Sequence, residues 1–170
     1  MTEPALLLEL RRYRLRPGAR DTLVELFARE LVEPQRQVGL QILGWFDDVD
    51  EPDHFVWLRG YPTRSAEARA ASLTAFYGGP VWRAHREAAN ATMLDSDDVH
   101  LLEASDSGPV RLPDLGRQLR LTVLPLHDGP LPPGALVTSS VPNLFPALPV
   151  HDEHVAVILG EGPVRLRPRR

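Results

Sequence analysis

The amino-acid sequence predicts an α+β fold in the order β-α-β-β-α-β, followed by an extension that is rich in proline. Within residues 5–104, apolar side chains recur with the two-residue period of strands and then with the 3.6-residue period of helices. Glycine and proline pairs separate several of these segments. Proline is also unevenly distributed, because residues 1–104 hold six of the 17 prolines and residues 105–170 hold eleven. With 43% hydrophobic residues, the chain can bury a sizeable core.

The first strand is predicted over residues 5–15, where leucines alternate with polar and aromatic side chains. Pro17-Gly18 interrupts this pattern, and a helix with one apolar stripe follows over residues 21–31. Pro34 is expected to kink or end that helix. The remaining predicted elements of this part are strands at 40–46 and 54–61, helices at 65–77 and 81–92, and a last strand at 99–103.

This order of elements is ferredoxin-like, an antiparallel sheet with helices on one face. We interpret residues 1–104 as this domain, and its second sheet face has no predicted cover. Residues 105–170 are interpreted as a proline-rich extension with two short strands, at 117–124 and 155–159. The extension is too short for a second complete unit, although a partial second repeat stays open. Its arginine-rich end, residues 165–170, is expected to be a solvated tail.

Composition excludes several classes of function. The chain has no cysteine, so a disulfide framework, an iron–sulfur cluster and a cysteine nucleophile are excluded. It also has no lysine, which excludes Schiff-base chemistry. A net charge of −4 lacks the basic footprint of a nucleic-acid-binding protein. No stretch approaches the ~20 apolar residues of a membrane span, and the N-terminus does not resemble a secretory signal, so we expect a cytoplasmic protein.

The predicted central strands carry one aliphatic face and one polar, aromatic face. We expect the aliphatic side chains to face the helices of the domain: Leu6, Leu8, Leu10, Val56 and Leu58. The bare opposite face would then carry Glu9, Arg11, Tyr13, Trp57, Arg59 and Tyr61. The first interpretation is a homodimer interface, in which these charges pair and the aromatic rings are buried. The second is a pocket in which Arg11 or Arg59 fixes an anionic group and the aromatic rings hold an apolar body.

Other candidate sites are weaker. Trp82 and His85 share one helix face, and His85 is the one weak candidate for a general acid or base; the catalytic residues are otherwise unknown. His151 and His154 would point to opposite faces of a strand, so no metal site is expected there. The acidic turn at 47–53 lacks the calcium-loop pattern and is interpreted as solvated. We expect neither a metal nor a cofactor.

Four motifs in order resemble the NIPSNAP family over about residues 5–104. They are Glu9-Leu-Arg-Arg-Tyr13 followed by Pro17-Gly18, Leu43-Gly-Trp45, Trp57-Leu-Arg-Gly-Tyr61, and Trp82 early in the last helix. This family is similar in fold to the dimeric α/β-barrel proteins, in which two ferredoxin-like units pack sheet against sheet. That superfamily includes cofactor-free monooxygenases, isomerases and haem-binding proteins, whereas NIPSNAP proteins have no agreed activity. The resemblance therefore implies a dimeric α/β barrel.

Two functional hypotheses follow from the residues and the resemblance. The first is a homodimeric NIPSNAP-like protein that binds a small apolar or anionic ligand, or that acts through protein interaction. The alternative is an enzyme similar to the cofactor-free monooxygenases and isomerases, with His85 as acid or base and Arg11 or Arg59 as the anion clamp. Whether the protein is an enzyme stays open at this point.

Overall fold

The computed structural model describes residues 3–170 and shows a mixed α/β fold. Its first half contains β1 (Leu7–Leu15), α1 (Arg20–Leu26), a π-helical turn (Phe27–Leu31), α2 (Val32–Gln37), β2 (Gln41–Asp48), β3 (His54–Tyr61), α3 (Ala66–Tyr77), α4 (Pro80–Asn90) and β4 (Met93–Ala104). Its second half contains β5 (Leu119–Pro125), β6 (Leu136–Thr138), β7 (Val155–Leu159) and β8 (Val164–Pro168). The eight strands close into one barrel in the order β1-β3-β2-β8-β5-β7-β6-β4.

The central strand is β1, which pairs antiparallel with β3 on one side and with β4 on the other. Glu9 lies opposite Arg59, and Arg11 lies opposite Trp57. These pairings place the polar and aromatic residues of both strands side by side on one face, because side chains alternate between the two faces of a sheet.

The first helical segment continues past the position where proline was expected to end it. The π-helical turn at Phe27–Leu31 connects α1 to α2, and Pro34 falls in the first turn of α2. Proline is tolerated there because the first N–H groups of a helix have no partner within the helix. Among residues 3–170, none of the helices is long and apolar enough to cross a membrane.

Residues 105–170 complete the barrel. Strand β8 pairs with β2, β6 pairs with β4, and β5 and β7 lie between them. The second face of the N-terminal sheet is therefore not bare: strands of the same chain cover it. Its buried side chains form one apolar core with those of β5–β8, comprising Ala5, Leu8, Leu10, Phe46, Val56, Leu58, Leu102, Val110, Leu119, Leu121, Leu136, Val155, Val157 and Leu166.

The predicted orientation of the sheet is wrong. Leu8, Leu10, Val56 and Leu58 face the barrel interior, whereas Tyr13, Trp57 and Tyr61 pack in the core beneath the helices; Leu6 precedes β1 and is half-buried. The alternation of residue types divides the strands into two faces without saying which face meets the helices. That choice depends on the C-terminal strands, because their leucines and valines supply an apolar partner for the aliphatic face.

The arginine-rich end is not a solvated tail, and the acidic turn is not simply solvated. Asp47 is fully buried at the end of β2 and accepts hydrogen bonds from Arg167 at 2.9 Å and Arg169 at 2.8 Å. Burial alone would raise the pKa of Asp47, but the hydrogen bonds from these two arginines and the nearby charge of Arg20 lower it. Asp50 pairs with Arg165 at the surface. The last residues thus attach β8 to the hairpin formed by β2 and β3.

Because both halves share one core, a cavity made in the C-terminal half should destabilise the N-terminal half. Leu166 is fully buried on β8, and Leu166→Ala is expected to lower the free energy of unfolding by about 2–5 kcal/mol. Tryptophan fluorescence during urea unfolding reports this effect in the N-terminal half, because Trp45, Trp57 and Trp82 all lie before residue 105. An unchanged fluorescence midpoint would show that residues 105–170 are an independent appendage. Leu144→Ala, at an exposed side chain, is the control.

Candidate functional site

An enclosed cavity of about 30 Å³ lies between the sheet and the helices. It has room for roughly two water molecules, since one needs ~10–15 Å³. Its wall is mainly aromatic and aliphatic, formed by Tyr13, Leu23, Phe27, Leu31, Gln35, Phe55, Trp57, Phe76, Tyr77, Trp82 and Met93. A wider groove of about 600 Å³ lies near Arg36 and Gln41, but it is open to solvent.

Four charged side chains are buried next to this cavity, each at most 1% exposed: Glu9, Arg11, Arg59 and Arg69. The Glu9 carboxylate accepts hydrogen bonds from Arg59 Nη2 at 2.9 Å and from Arg69 Nη2 at 3.2 Å. It also accepts from Arg11 Nη1 and from the Tyr61 hydroxyl. Burial alone would raise the pKa of Glu9, but the three arginine charges outweigh it and hold the pKa far below its usual range. Glu9 is therefore ionised.

The cluster contains more positive than negative charge. Three guanidinium groups face one carboxylate, which leaves two positive charges without a counter-ion in the cluster. The other groups that the arginines contact are neutral: Gln35 and Tyr77 accept from Arg59, Asn143 accepts from Arg69, and Tyr13 accepts from Arg11. A buried charge without a counter-ion destabilises a folded protein, so this excess indicates a site for an anion.

Several hydrogen-bond donors on the cavity wall are unused. The hydroxyls of Tyr13 and Tyr77 each accept from an arginine, at 3.0 and 2.9 Å, and their own hydrogens have no acceptor within residues 3–170. Burial raises the pKa of Tyr13, so its hydroxyl keeps that hydrogen. Trp57 Nε1 is buried and has no partner in the described part of the chain. Unpaired buried donors are rare in folded proteins, and a ligand oxygen would satisfy them.

Trp57 lies at the centre of the cluster. The guanidinium carbon of Arg11 is 5.2 Å from its ring and that of Arg59 is 5.0 Å, both within range of a cation–π interaction. Tyr13 and Phe27 contact the same ring edge-on, with centroids 6.1 and 4.8 Å away. The indole therefore contacts both the charged cluster and the apolar wall.

The structure brings together most of the residues singled out from the sequence. Glu9, Arg11, Tyr13, Trp57, Arg59 and Tyr61 form the cluster beneath the helices, and Trp82 lines the cavity. Their predicted place on an open sheet face is wrong, for the reason given above. His85 does not line the cavity; it is half-buried on α4, with Nε2 at 3.5 Å from a Glu30 carboxylate oxygen.

Three contributors to the cluster were missed in the sequence: Gln35, Arg69 and Asn143. Arg69 occupies the apolar stripe of α3 with Leu73 and Phe76, and an arginine in such a stripe is a signal that could have been used. Gln35 similarly follows Leu31 and Val32 on the buried side of α2. Asn143 lies in a segment without regular structure, where no sequence pattern links it to Arg69.

Glu9→Gln should be strongly destabilising because it leaves three buried arginines without a negative partner. We expect a loss of about 3–5 kcal/mol in the free energy of unfolding at neutral pH. The pKa of Glu9 in the folded protein lies below its ordinary value of 4.5. The stabilisation that ionised Glu9 provides is therefore present above pH 4.5 and is lost as the pH falls below 4.5. The difference between wild type and variant, measured by urea unfolding, should therefore shrink as the pH falls below about 4.5.

The control for this series is Glu25→Gln, at an exposed position of α1. It should leave both the stability and its pH dependence unchanged. A Glu9→Gln protein as stable as wild type would mean that the cluster does not hold Glu9 ionised.

The sequence model of the NIPSNAP family matches residues 8–107, more than half of the chain. No curated protein matches the chain by sequence. A solved NIPSNAP family protein from Agrobacterium tumefaciens is 21% identical, with a TM-score of 0.55 over 65% of this chain and 96% of the other. An uncharacterised NIPSNAP-like domain protein from Burkholderia xenovorans is 27% identical, with a TM-score of 0.53 over 64% and 92%.

A structure described as a putative antibiotic biosynthesis monooxygenase from Chloroflexus aurantiacus aligns over 65% of this chain and 98% of the other, at 18% identity. Its TM-score of 0.45 is too low to support an argument about activity. The family match covers the strands and helices that build the charged cluster, and solved NIPSNAP proteins share the fold. The chain belongs to the NIPSNAP family.

Proposed function

We propose that this protein binds a small, partly apolar anion in the cavity between the sheet and the helices. The observation that carries the proposal is the buried excess of two positive charges beside an aromatic wall. An anionic group of the ligand supplies the missing negative charge, and its apolar part packs against the rings.

A carboxylate is the anionic group that suits these donors best. A guanidinium group presents two parallel N–H donors that match the two oxygens of a carboxylate. The unused hydrogens of Tyr13, Tyr77 and Trp57 lie on the wall of the same cavity and can complete the coordination of the oxygens. Aromatic and aliphatic side chains then hold the body of the ligand, as in most small-molecule sites.

Ligand entry requires the cavity to open, because about 30 Å³ holds only water. Tyr77 and Trp82 are half-buried members of the wall at the junction of α3 and α4, and their rings lie 5.2 Å apart. On the other side, the π-helical turn supplies Phe27 and Leu31. Such turns occur frequently at functional sites. We assign the entrance to the junction of α3 and α4, where side chains can rotate without breaking a strand pair.

The enzyme alternative receives less support. His85, the acid or base candidate from the sequence, pairs with Glu30 outside the cavity wall, so the residue on which the enzyme alternative rested does not reach the site. The proposal therefore stops at binding. A cytoplasmic location stays a prediction from the sequence.

A single chain of this protein can supply both sheets of the barrel, whereas a dimeric α/β barrel takes one sheet from each of two chains. We propose that residues 7–104 are the ferredoxin-like unit, since β4-β1-β3-β2 lie side by side with helices on one face. Strands β5–β8 then take the place of a partner's sheet. The predicted homodimer depended on a bare sheet face, and that physical reason does not hold for this chain.

The binding proposal is tested by adding phenylacetate, hexanoate and their uncharged amides to the purified protein. We expect the carboxylates to raise the thermal midpoint and to change tryptophan fluorescence, whereas the amides do neither. Arg11→Gln should weaken carboxylate binding at least tenfold, because a hydrogen bond to a charged group contributes about 1.5–3 kcal/mol. The variant should fold, since Glu9 keeps Arg59 and Arg69 as partners.

Arg14→Gln is the matched control, because Arg14 is an exposed arginine on the same strand. It should bind the carboxylates as wild type does. Equal effects of acids and amides, or full binding by Arg11→Gln, would overturn the anion site.

The oligomeric state is tested by native mass spectrometry of the full chain. Because the chain closes its own barrel, we expect the mass of one chain, 19.0 kDa, at micromolar concentration. A stable dimer would show that another surface of the protein associates. The predicted homodimer would then be correct, although not through the sheet face. An additional mass that is lost in Arg11→Gln would identify a co-purified ligand.

A further inference from the structure

A second polar cluster lies at one end of the barrel. Asp98 and His100 are two residues apart on β4 and so share a face, the same face from which Leu102 enters the barrel core. His151 comes from the segment that precedes β7, and its backbone N–H donates to the Val99 carbonyl at 2.8 Å. That hydrogen bond fixes His151 beside the other two side chains.

The three side chains converge on one carboxylate oxygen. Asp98 Oδ1 lies 2.8 Å from His151 Nε2 and 3.8 Å from His100 Nε2, and the two imidazole rings have centroids 4.5 Å apart. All three ligand atoms lie within 4.8 Å of one another. The sequence offered no spacing that links His151 to Asp98 and His100, because they are separated by about fifty residues.

His100 is left without hydrogen bonds in this arrangement. Its side chain is almost fully buried, its Nδ1 has no partner in the described chain, and its Nε2 is too far from Asp98 for a hydrogen bond. A buried imidazole normally uses at least one of its nitrogens. The unpartnered ring is therefore an observation, separate from the clustering itself, that points to a missing partner of His100; its Nε2 is the nitrogen that lies 3.8 Å from Asp98 Oδ1.

We propose that Asp98 Oδ1, His100 Nε2 and His151 Nε2 bind a divalent transition-metal cation of the zinc class. Ligands at about 2.0–2.2 Å in tetrahedral geometry lie ~3.3 Å from one another, and the distances from Asp98 Oδ1 to the two imidazole nitrogens, 2.8 and 3.8 Å, each differ from this by about 0.5 Å. Two imidazoles and one carboxylate suit Zn²⁺, Co²⁺ or Ni²⁺ rather than Ca²⁺ or Mg²⁺, which prefer oxygen ligands.

The site leaves a coordination position free. His151 is partly exposed beside an open groove of about 490 Å³, which Ser139, Asn143 and His154 also line. A cation can reach the three ligands from this groove, and a water molecule can fill the fourth position. Three protein ligands and one open position are typical of zinc sites that contact a substrate.

The cationic side chain of Arg12 opposes this assignment. It lies opposite Asp98 on β1, with Nε at 3.2 Å from Asp98 Oδ2 and Nη2 at 3.4 Å from Oδ1. Its Nε makes no well-aligned hydrogen bond, so the pair is loose. We infer that Arg12 pairs loosely with the Asp98 carboxylate and competes weakly with the cation for Oδ1.

The proposal is tested by titrating untagged, chelator-treated protein with ZnCl₂ by calorimetry and with CoCl₂ by visible absorption. We expect one cation per chain and a tetrahedral Co²⁺ spectrum. Asp98→Asn and His151→Gln, both at partly exposed side chains, should each weaken binding at least about tenfold. Arg12→Gln should tighten binding, because it removes a competing positive charge.

His127→Gln is the matched control, since His127 is an exposed histidine that does not line this groove. It should bind Zn²⁺ as wild type does. The proposal is overturned if wild type takes up no stoichiometric Zn²⁺, if His151→Gln binds normally, or if Arg12→Gln abolishes binding. Carboxylate binding at the Arg11 site should be unaffected by Asp98→Asn, so the two proposals fail or succeed separately.

Discussion

The ionised carboxylate of Glu9 is the constraint on which the rest of the structure depends. A buried carboxylate needs cationic partners, and Glu9 takes them from its own strand, from the neighbouring strand and from α3. Arg69 thereby attaches α3 to the centre of the sheet, while Arg59 reaches Gln35 on α2 and Tyr77 at the end of α3. One negative charge thus positions two helices over the sheet. The same partners leave the surplus of positive charge on which the proposed anion site rests.

The two faces of the N-terminal sheet have different functions because they have different covers. The aliphatic face is sealed inside the barrel by β5–β8, where apolar burial supplies the stability of the closed fold. The polar face lies beneath helices, where Tyr77 and Trp82 can move without breaking strand pairs. Closure of the barrel also removes the free sheet edges. Arg167 and Arg169, at the end of the described chain, stabilise the closed barrel by neutralising Asp47.

Adjacent residues of β1 belong to different sites because side chains alternate between faces. Arg11 belongs to the charged cluster beneath the helices, and Arg12 lies beside Asp98 at the end of the barrel. The central strand therefore separates a basic cluster from a cluster of imidazoles and a carboxylate. Each cluster contains buried polar atoms without partners, Trp57 Nε1 in one and His100 Nδ1 in the other. They are among the buried polar atoms of residues 3–170 that have no hydrogen-bond partner, and functional sites commonly contain such atoms.

The helices and strands of the first half, and the grouping of the site residues on one sheet face, could be predicted from the sequence. Alternation in β1 and β3 was enough to place Glu9, Arg11, Tyr13, Trp57, Arg59 and Tyr61 on one face, and the family motifs lie on the same strands. The face that meets the helices is set by the tertiary structure, because the alternation of residue types along a strand is the same whichever face of the sheet is turned toward the helices. The tertiary structure also decided that residues 105–170 close the barrel and that Arg69, Asn143 and His151 reach their sites. Those contacts join segments far apart in the chain, and their energy comes from burial and charge pairing that no local pattern records.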